Sequence, residues 1–289
     1  MGPERGFTPA SPPCVSDSPA GSNDGILLID KPAGGTSHDV VAAVRRALGS
    51  HPRRRVGHAG TLDPFATGLL LVLVGRATRI QRYLMALPKR YEAIARLGAT
   101  SSTGDTEGEI TPTGRLPPDP PQLPTGELLQ RPPAYSAVKV GGRRAYALAR
   151  AGEPVELAER SVSVQRFEQL WREGDRAAFA IDCSAGTYVR SLIADLGDAY
   201  CEELRRTSIG RFKVEDADPT RLVGLREALA FMPSVALDAE AARRAGHGQA
   251  VAADFPAGAQ AVLLLDGGEP VAIAEPREGA LKPVVGFRA

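Results

Sequence analysis

The segment Gly57–Gly68, GHAGTLDPFATG, sets a single carboxylate, Asp63, among three glycines, a proline and two threonines. Pro64 biases Asp63 toward an extended backbone, and the glycines let the chain pass close to a ligand. Asp63 is one of only two acidic residues between positions 40 and 96, a stretch that holds 11 Lys and Arg. A carboxylate kept ionised by neighbouring cations can act as a nucleophile. The same spacing suits a turn aspartate that bonds its own backbone, and spacing alone does not choose between them. Tyr91 follows Lys89-Arg90; an aromatic beside cations suits base stacking or a half-buried strand. Arg190, just after Gly186-Thr187-Tyr188, is placed either to pair with a carboxylate or to face solvent. Tyr135, Lys139, Arg143, Arg144 and Tyr146 interleave aromatics with cations. That composition belongs to RNA-tracking surfaces and equally to a solvated hairpin and helix. His58 is a loop hydrogen-bonder or a site residue.

Other chemistries lack their signatures. The chain contains no GxxxxGK[ST] phosphate loop, no HExxH and no GxSxG elbow. Its four histidines (His38, His51, His58, His247) show no metal-ligand spacing, and its cysteines (Cys14, Cys183, Cys201) suit neither a disulfide framework nor a zinc site. The expectation is therefore a site without metal.

The elements around these residues read as a mix of strands and helices without regular βαβ alternation. Gly25–Asp30 is a buried strand, followed by the Lys31-Pro32 loop. Thr36 or Ser37 caps a helix with Val40, Val41, Val44 and Leu48 on one face. The run after Gly68 is a buried element closed by Gly75, and Thr78 opens or caps a helix. Residues 91–97 alternate as a strand, and 98–133 are polar and Pro-rich with little regular pattern. Residues 162–171 and 177–183 read as paired strands, 187–200 as an amphipathic helix, 212–214 as a short strand and 222–231 as a helix. A boundary at Met232-Pro233 precedes a small β-hairpin (261–265 with 271–274) and a last strand at 283–287. The fold class is α+β, with a central mixed or largely antiparallel sheet flanked by helices.

The chain has 289 residues and a formal net charge of +1, which by itself speaks mildly against a nucleic-acid partner. The charge is unevenly spread: 40–96 carries +9 and 131–150 carries +5, while every other segment is negative. The longest apolar run, Leu69–Val74, is too short to span a bilayer, and the first residues lack the apolar region of a signal peptide. These features predict a cytoplasmic protein without a membrane contact. Residues 1–23, rich in Pro, Ser and Gly, read as a disordered extension.

Six motifs then occur in register: GILLIDKPAGGTSHDVV, VGHAGTLDPFATGLLLVLVGRATR, KRYEAIARLGATSSTGD, PPAYSAVKVGGRRAYALAR, AGTYVRSLIADLG and LRRTSIGRF. Together they resemble the TruB family of bacterial tRNA pseudouridine synthases over about residues 25–231. The resemblance implies a pseudouridine synthase fold spanning 24–232, with a loop at about 131–150 that closes over RNA. It also implies, more loosely, a small β-rich PUA-like RNA-binding domain over 233–289. The implied reaction isomerises the uridine of the tRNA T-loop, conventionally position 55, after base flipping, and needs no cofactor. Asp63 matches the catalytic aspartate, Tyr91 the tyrosine that stacks on the target base and assists proton removal, and Arg190 the arginine paired with the aspartate. His58 matches a residue linked to flipping, and Tyr188 lies in the Arg190 motif. Lys31 and Pro32 match the support of the catalytic loop, Leu204 an apolar contact near the pocket, and Lys139, Arg143 and Arg144 the RNA-closing loop. The expected partner is the tRNA T-arm, bound by a monomer without an obligatory protein partner. Two rivals remain: an RNA-folding chaperone, and a synthase of the same fold acting on another RNA.

Overall fold

The computed structural model describes residues 24–49 and 55–288. The expected extension at 1–23 lies outside the described residues, as do Cys14, His51, Arg53 and Arg54.

One ten-stranded sheet dominates. Its main path runs Asp218–Gly224, Gly25–Lys31, Thr67–Val74, Ala199–Ile209, Lys89–Leu97, Arg176–Cys183, Arg160–Glu173 and Gly126–Gln130. Val56–Ala59 pairs with Thr67–Val74, and Phe212–Lys213 pairs with Ala199–Ile209. All pairings in this sheet are antiparallel except one. Thr67–Val74 lies parallel to Ala199–Ile209, with Arg205 opposite Thr67 and Arg206 opposite Gly68. That junction joins the two halves of the sheet and sits at the end of the Asp63 loop. The mixed, mostly antiparallel α+β architecture is as the sequence implied.

The apolar run at 69–74 explains the first half. Alternate side chains of a strand point to opposite faces, and both faces here are covered. Leu70, Val72 and Val74 join Leu27 against Val40, Val41 and Val44 of helix Ser37–Ala47. Leu69, Leu71 and Leu73 join Ile26, Leu28 and Leu84 on the other side. The helix starts where the sequence placed it. The Thr36 side chain accepts from the Asp39 backbone N–H, and the Asp39 carboxylate accepts from Thr36 in return, a capping box. A second core under the other half collects Leu62, Ala66, Phe167, Phe179, Val189, Leu192, Ile193 and Leu204.

Three expectations are corrected. The helix read over 187–200 is only Val189–Ala194. Gly197, at φ 125°, turns the chain out of it, and Tyr200 belongs to the central strand Ala199–Ile209, which periodicity did not reveal. The helix read over 222–231 shortens to Leu225–Ala228, because 222–224 complete a strand bonded to Gly25–Lys31. There tertiary pairing overrides local helix preference. The polar stretch 98–133 is also less irregular than read, since it contains the edge strand Gly126–Gln130 and a small pair, Ala99–Ser101 with Ile110–Pro112.

After Met232-Pro233, Ser234–Ala236, Val262–Asp266, Glu269–Arg277 and Ala280–Gly286 form a separate four-stranded sheet packed on helix Ala239–Gly246. Its other face is continuous with the main core through Leu263, Leu265, Ile273 and Phe287. Arginines reinforce the seam: Arg76 pairs with Asp24 and bonds the Phe287 carbonyl, Arg79 donates to Gly286 O at 2.6 Å, and Arg82 meets Glu275 at 2.8 Å.

Candidate active site

The Asp63 loop runs from Val56–Ala59 to Thr67–Val74 and is tied down at three points. Lys31 is fully buried, and its ammonium donates to Pro32 O (2.8 Å), Gly35 O (2.6 Å) and Pro64 O (3.2 Å). Burial lowers its pKa to about 8, with the nearby Asp63 carboxylate opposing the drop. Ser37 Oγ exchanges hydrogen bonds with the Leu62 backbone, accepting from its N–H at 2.9 Å. Arg206, also fully buried, donates to Leu69 O (2.8 Å), Gly60 O (3.0 Å) and Thr61 O (3.3 Å). Gly68 explains one glycine of the motif. It lies at φ 102°, and a Cβ there would stand 2.2 Å from Arg206 O, so only glycine fits the parallel junction.

At the centre of the loop, Asp63 Oδ2 lies 2.9 Å from Arg190 Nε. The contact is ionic; the Nε–H is not aligned on the oxygen as a hydrogen bond. Arg190 is 3% exposed and also reaches Asp105 Oδ2 (3.0 Å), Thr103 O (2.6 Å) and Tyr135 O (2.8 Å). One guanidinium thus links the Asp63 loop, the 101–108 turn and the start of the 131–150 segment. Its donors and planar shape suit this bridging role. Burial pushes the Asp63 carboxyl above the usual aspartate range; Arg190 opposes that shift and Asp105 adds to it. The carboxylate meets Arg190, which decides against the turn-aspartate alternative.

Asp63 opens onto a cleft of about 530 Å³ whose lining includes Tyr91, Arg190, Tyr188, Leu204, His58 and Arg144. Tyr91 is half-buried in Lys89–Leu97. Burial pushes its phenol upward, and Arg206 opposes the rise. His58 is in strand Val56–Ala59; burial lowers its pKa, and its Nδ1 is buried without a partner. Gln130 grips the Tyr188 backbone from both sides, accepting from its N–H at 2.7 Å and donating to its carbonyl at 3.0 Å.

The named residues divide. Asp63, Tyr91, Arg190, His58, Tyr188, Leu204 and Arg144 line one cleft. Lys31 and Pro32 lie behind it, as the strap holding the loop. Lys139 and Arg143 are exposed on a small hairpin, outside the cleft lining, and Arg143 is engaged by Glu153 at 2.8 Å and 2.9 Å. Sequence reasoning missed Asp105 and Arg206. Asp105 is the more legible in hindsight, a lone aspartate in the TSSTGD motif; nothing in its spacing marks Arg206 from its neighbour Arg205. Among the described residues no group of three or more His, Cys, Asp or Glu side chains could hold a metal ion.

A family model described as TruB family pseudouridylate synthase (N-terminal domain) matches residues 45–189. The tRNA pseudouridine synthase B of Thermobifida fusca (strain YX) is 44% identical, over 91% of this chain and 98% of that protein. That of Mycobacterium tuberculosis (strain H37Rv) is 48% identical, over 67% and 69%. The chain belongs to the TruB family. Among solved structures, a Cbf5–Nop10–Gar1 complex matches with a TM-score of 0.67 and 26% identity, over 90% of this chain and 84% of that one. An H/ACA RNP bound to a substrate RNA containing 2′-deoxyuridine matches with a TM-score of 0.67 and 25% identity, over 92% and 85%. Among the described residues no helix is long and apolar enough to cross a membrane.

Proposed function

We propose that this protein is a tRNA pseudouridine synthase that isomerises the T-loop uridine, conventionally position 55, acting in the cytoplasm as a monomer without a protein partner. The observation that carries the reading is the Asp63–Arg190 pair at 2.9 Å in a cleft large enough for a nucleotide. The relatives named tRNA pseudouridine synthase B supply the substrate class.

In this reading the target uridine is extruded from the folded loop, at a cost of a few kcal/mol, and enters the cleft. The N1–C1′ bond breaks, the base turns, and C5 bonds to C1′. The C5 proton leaves and N1 gains one, so atoms balance without oxidant or added group. Asp63 serves as an anion where positive charge develops on the sugar as N1–C1′ opens, and Arg190 favours that ionised form. Tyr91 stacks on the base. Burial pushes its phenol above the ordinary tyrosine range, and its hydroxyl assists removal of the C5 proton. Lys31 and Pro32 position the loop, His58 supports flipping, and Tyr188 and Leu204 line the base. The segment 131–150, with Lys139, Arg143 and Arg144, closes over the T-arm. The unit 233–289 acts as a PUA-like RNA-binding domain.

The test is incubation of the pure protein with an unmodified tRNA transcript, followed by mapping of pseudouridine. Product at the T-loop uridine is expected. Tight binding with no product would favour the chaperone, and product only in another RNA would favour the same-fold rival.

A further inference from the structure

Five buried side-chain N or O atoms lack a hydrogen-bond partner among the described residues. Four belong to residues lining the catalytic cleft: His58 Nδ1, Ser136 Oγ, Arg160 Nη2 and Arg190 Nε. The Arg190 atom is already beside the Asp63 carboxylate. Arg160 is different, because among the described residues no carboxylate or carbonyl engages its guanidinium, and its Nη2 is buried.

Arg160 begins the strand Arg160–Glu173, opposite Gln130. Its one described contact is with the Tyr188 ring, whose centroid lies 5.1 Å from the guanidinium carbon. The carboxylate next to it in sequence, Glu159, is engaged by Arg131 at 3.2 Å. The cleft's other arginines each have protein acceptors: Arg190 two carboxylates and two carbonyls, Arg206 three carbonyls, and Arg144 the Ala137 carbonyl. A buried donor such as this Nη2 is costly to leave unpaired, and most buried side-chain polar atoms have a protein or water partner, so this one calls for an explanation. A cation–π contact holds one face of the plane and leaves its edge donors unused. Those donors match an anion, and the anion an RNA offers next to any base is its backbone phosphate.

We infer that Arg160 is a phosphate-binding residue of this cleft. It takes a backbone phosphate oxygen beside the nucleotide that enters, while its face rests on Tyr188. Arg160 thereby anchors the strand next to the reacting sugar, where binding energy can hold the extruded conformation. This assignment rests on the RNA-modifying function proposed above.

The experiment compares wild type, Arg160→Gln and Arg160→Lys for binding to an unmodified tRNA transcript over a salt series. It also uses T-arm hairpins carrying a single neutral methylphosphonate at each phosphate flanking the target uridine. Wild type is expected to lose about tenfold in affinity at one of these positions, the scale of one charge-assisted contact. Arg160→Gln should lose a similar factor on the unmodified hairpin, become indifferent to that methylphosphonate, and show a salt slope smaller by about 0.7–0.9. Arg160→Lys should recover the salt slope. If Arg160→Gln keeps the wild-type slope and the wild-type sensitivity at every position, the phosphate assignment is wrong and the arginine only braces Tyr188. Binding is read separately from product, so a wild type that binds but forms no pseudouridine counts against the proposed function alone.

Discussion

The two basic stretches of the chain, 40–96 and 131–150, look alike as sequence and differ in the folded molecule. In the first, most described cations are consumed internally. Arg76, Arg79 and Arg82 fasten the C-terminal unit, Lys89 is buried against the carbonyls of Met85 and Leu87, Arg90 meets Asp182, and Arg96 is shared by Asp175 and Glu202. In the second, Lys139, Arg143 and Arg144 stand exposed on a two-stranded hairpin. The difference teaches that a block of positive charge has two uses. Buried, desolvated cations fix geometry, as Lys89 does within the first stretch and as Lys31, Arg190 and Arg206, which lie outside both stretches, do around Asp63. Exposed ones supply a long-range, salt-sensitive attraction and little geometry. The chemistry belongs to the buried wall of the site around Asp63, and the capture of RNA to the exposed wall formed by the 139–144 hairpin.

The strongest way to break this contrast is Asp63→Asn. Turnover should vanish while tRNA affinity stays within a few-fold, because the carboxylate serves the reaction and not the docking. Residual activity at the wild-type level would remove Asp63 from the chemistry.

Next comes Arg190→Met, which leaves Asp105 buried without its cation at only 4% exposure. A loss of about 3–5 kcal/mol in unfolding free energy is expected, read by denaturant titration, along with a severe loss of turnover. The pH profile supplies the sign. Activity needs ionised Asp63, whose pKa is already raised by burial and held down by Arg190. The wild-type rate should therefore fall on the acid side at a pH above the ordinary aspartate range. Any activity left in Arg190→Met should fall at a still higher pH. An acid limb unmoved by the substitution would mean that Arg190 does not tune the carboxyl.

Tyr91→Phe keeps the stacking ring and loses the hydroxyl. Turnover should drop about a hundredfold, in the range of proton-transfer assistance, with affinity unchanged; a wild-type single-turnover rate would make the hydroxyl dispensable. Lys31→Met removes the strap's donors and should cost about 2 kcal/mol of stability, along with part of the turnover.

The smallest effect per residue belongs to the exposed wall. Arg143→Gln with Arg144→Gln should weaken tRNA binding and flatten its salt dependence by at most about 0.7–0.9 for each phosphate no longer neutralised. Arg143 should contribute less than Arg144, because Glu153 already engages it.

How much was legible follows the same division. The capping box at Thr36 and the apolar run at 69–74 are local signals, and the structure keeps both. The central strand Ala199–Ile209 was not legible, because the charged residues Glu202, Glu203, Arg205 and Arg206 hide its apolar alternation, and its place is set mainly by long-range pairing with Lys89–Leu97 and Thr67–Val74. Asp63 was conspicuous as a lone acid in a basic, glycine-rich segment. Its second support, Arg206, was not, since Arg205 and Arg206 are adjacent arginines. Only the strand's alternation sends one out to Asp30 and the other into the core. The internal pairing of most basic residues within 40–96 also depends on tertiary packing, so the summed charge of that block overstates the cations left free for an anionic partner.

The most direct test of the division between the two walls is one paired measurement on a single tRNA transcript. Dissociation constant and single-turnover rate at saturation are determined for Asp63→Asn and for the Arg143→Gln, Arg144→Gln double variant. The expected outcome is a crossing: the first binds and does not react, and the second binds weakly and reacts at close to the wild-type rate once saturated. Product formation by Asp63→Asn, or a saturating rate lost in the double variant with affinity intact, would contradict it.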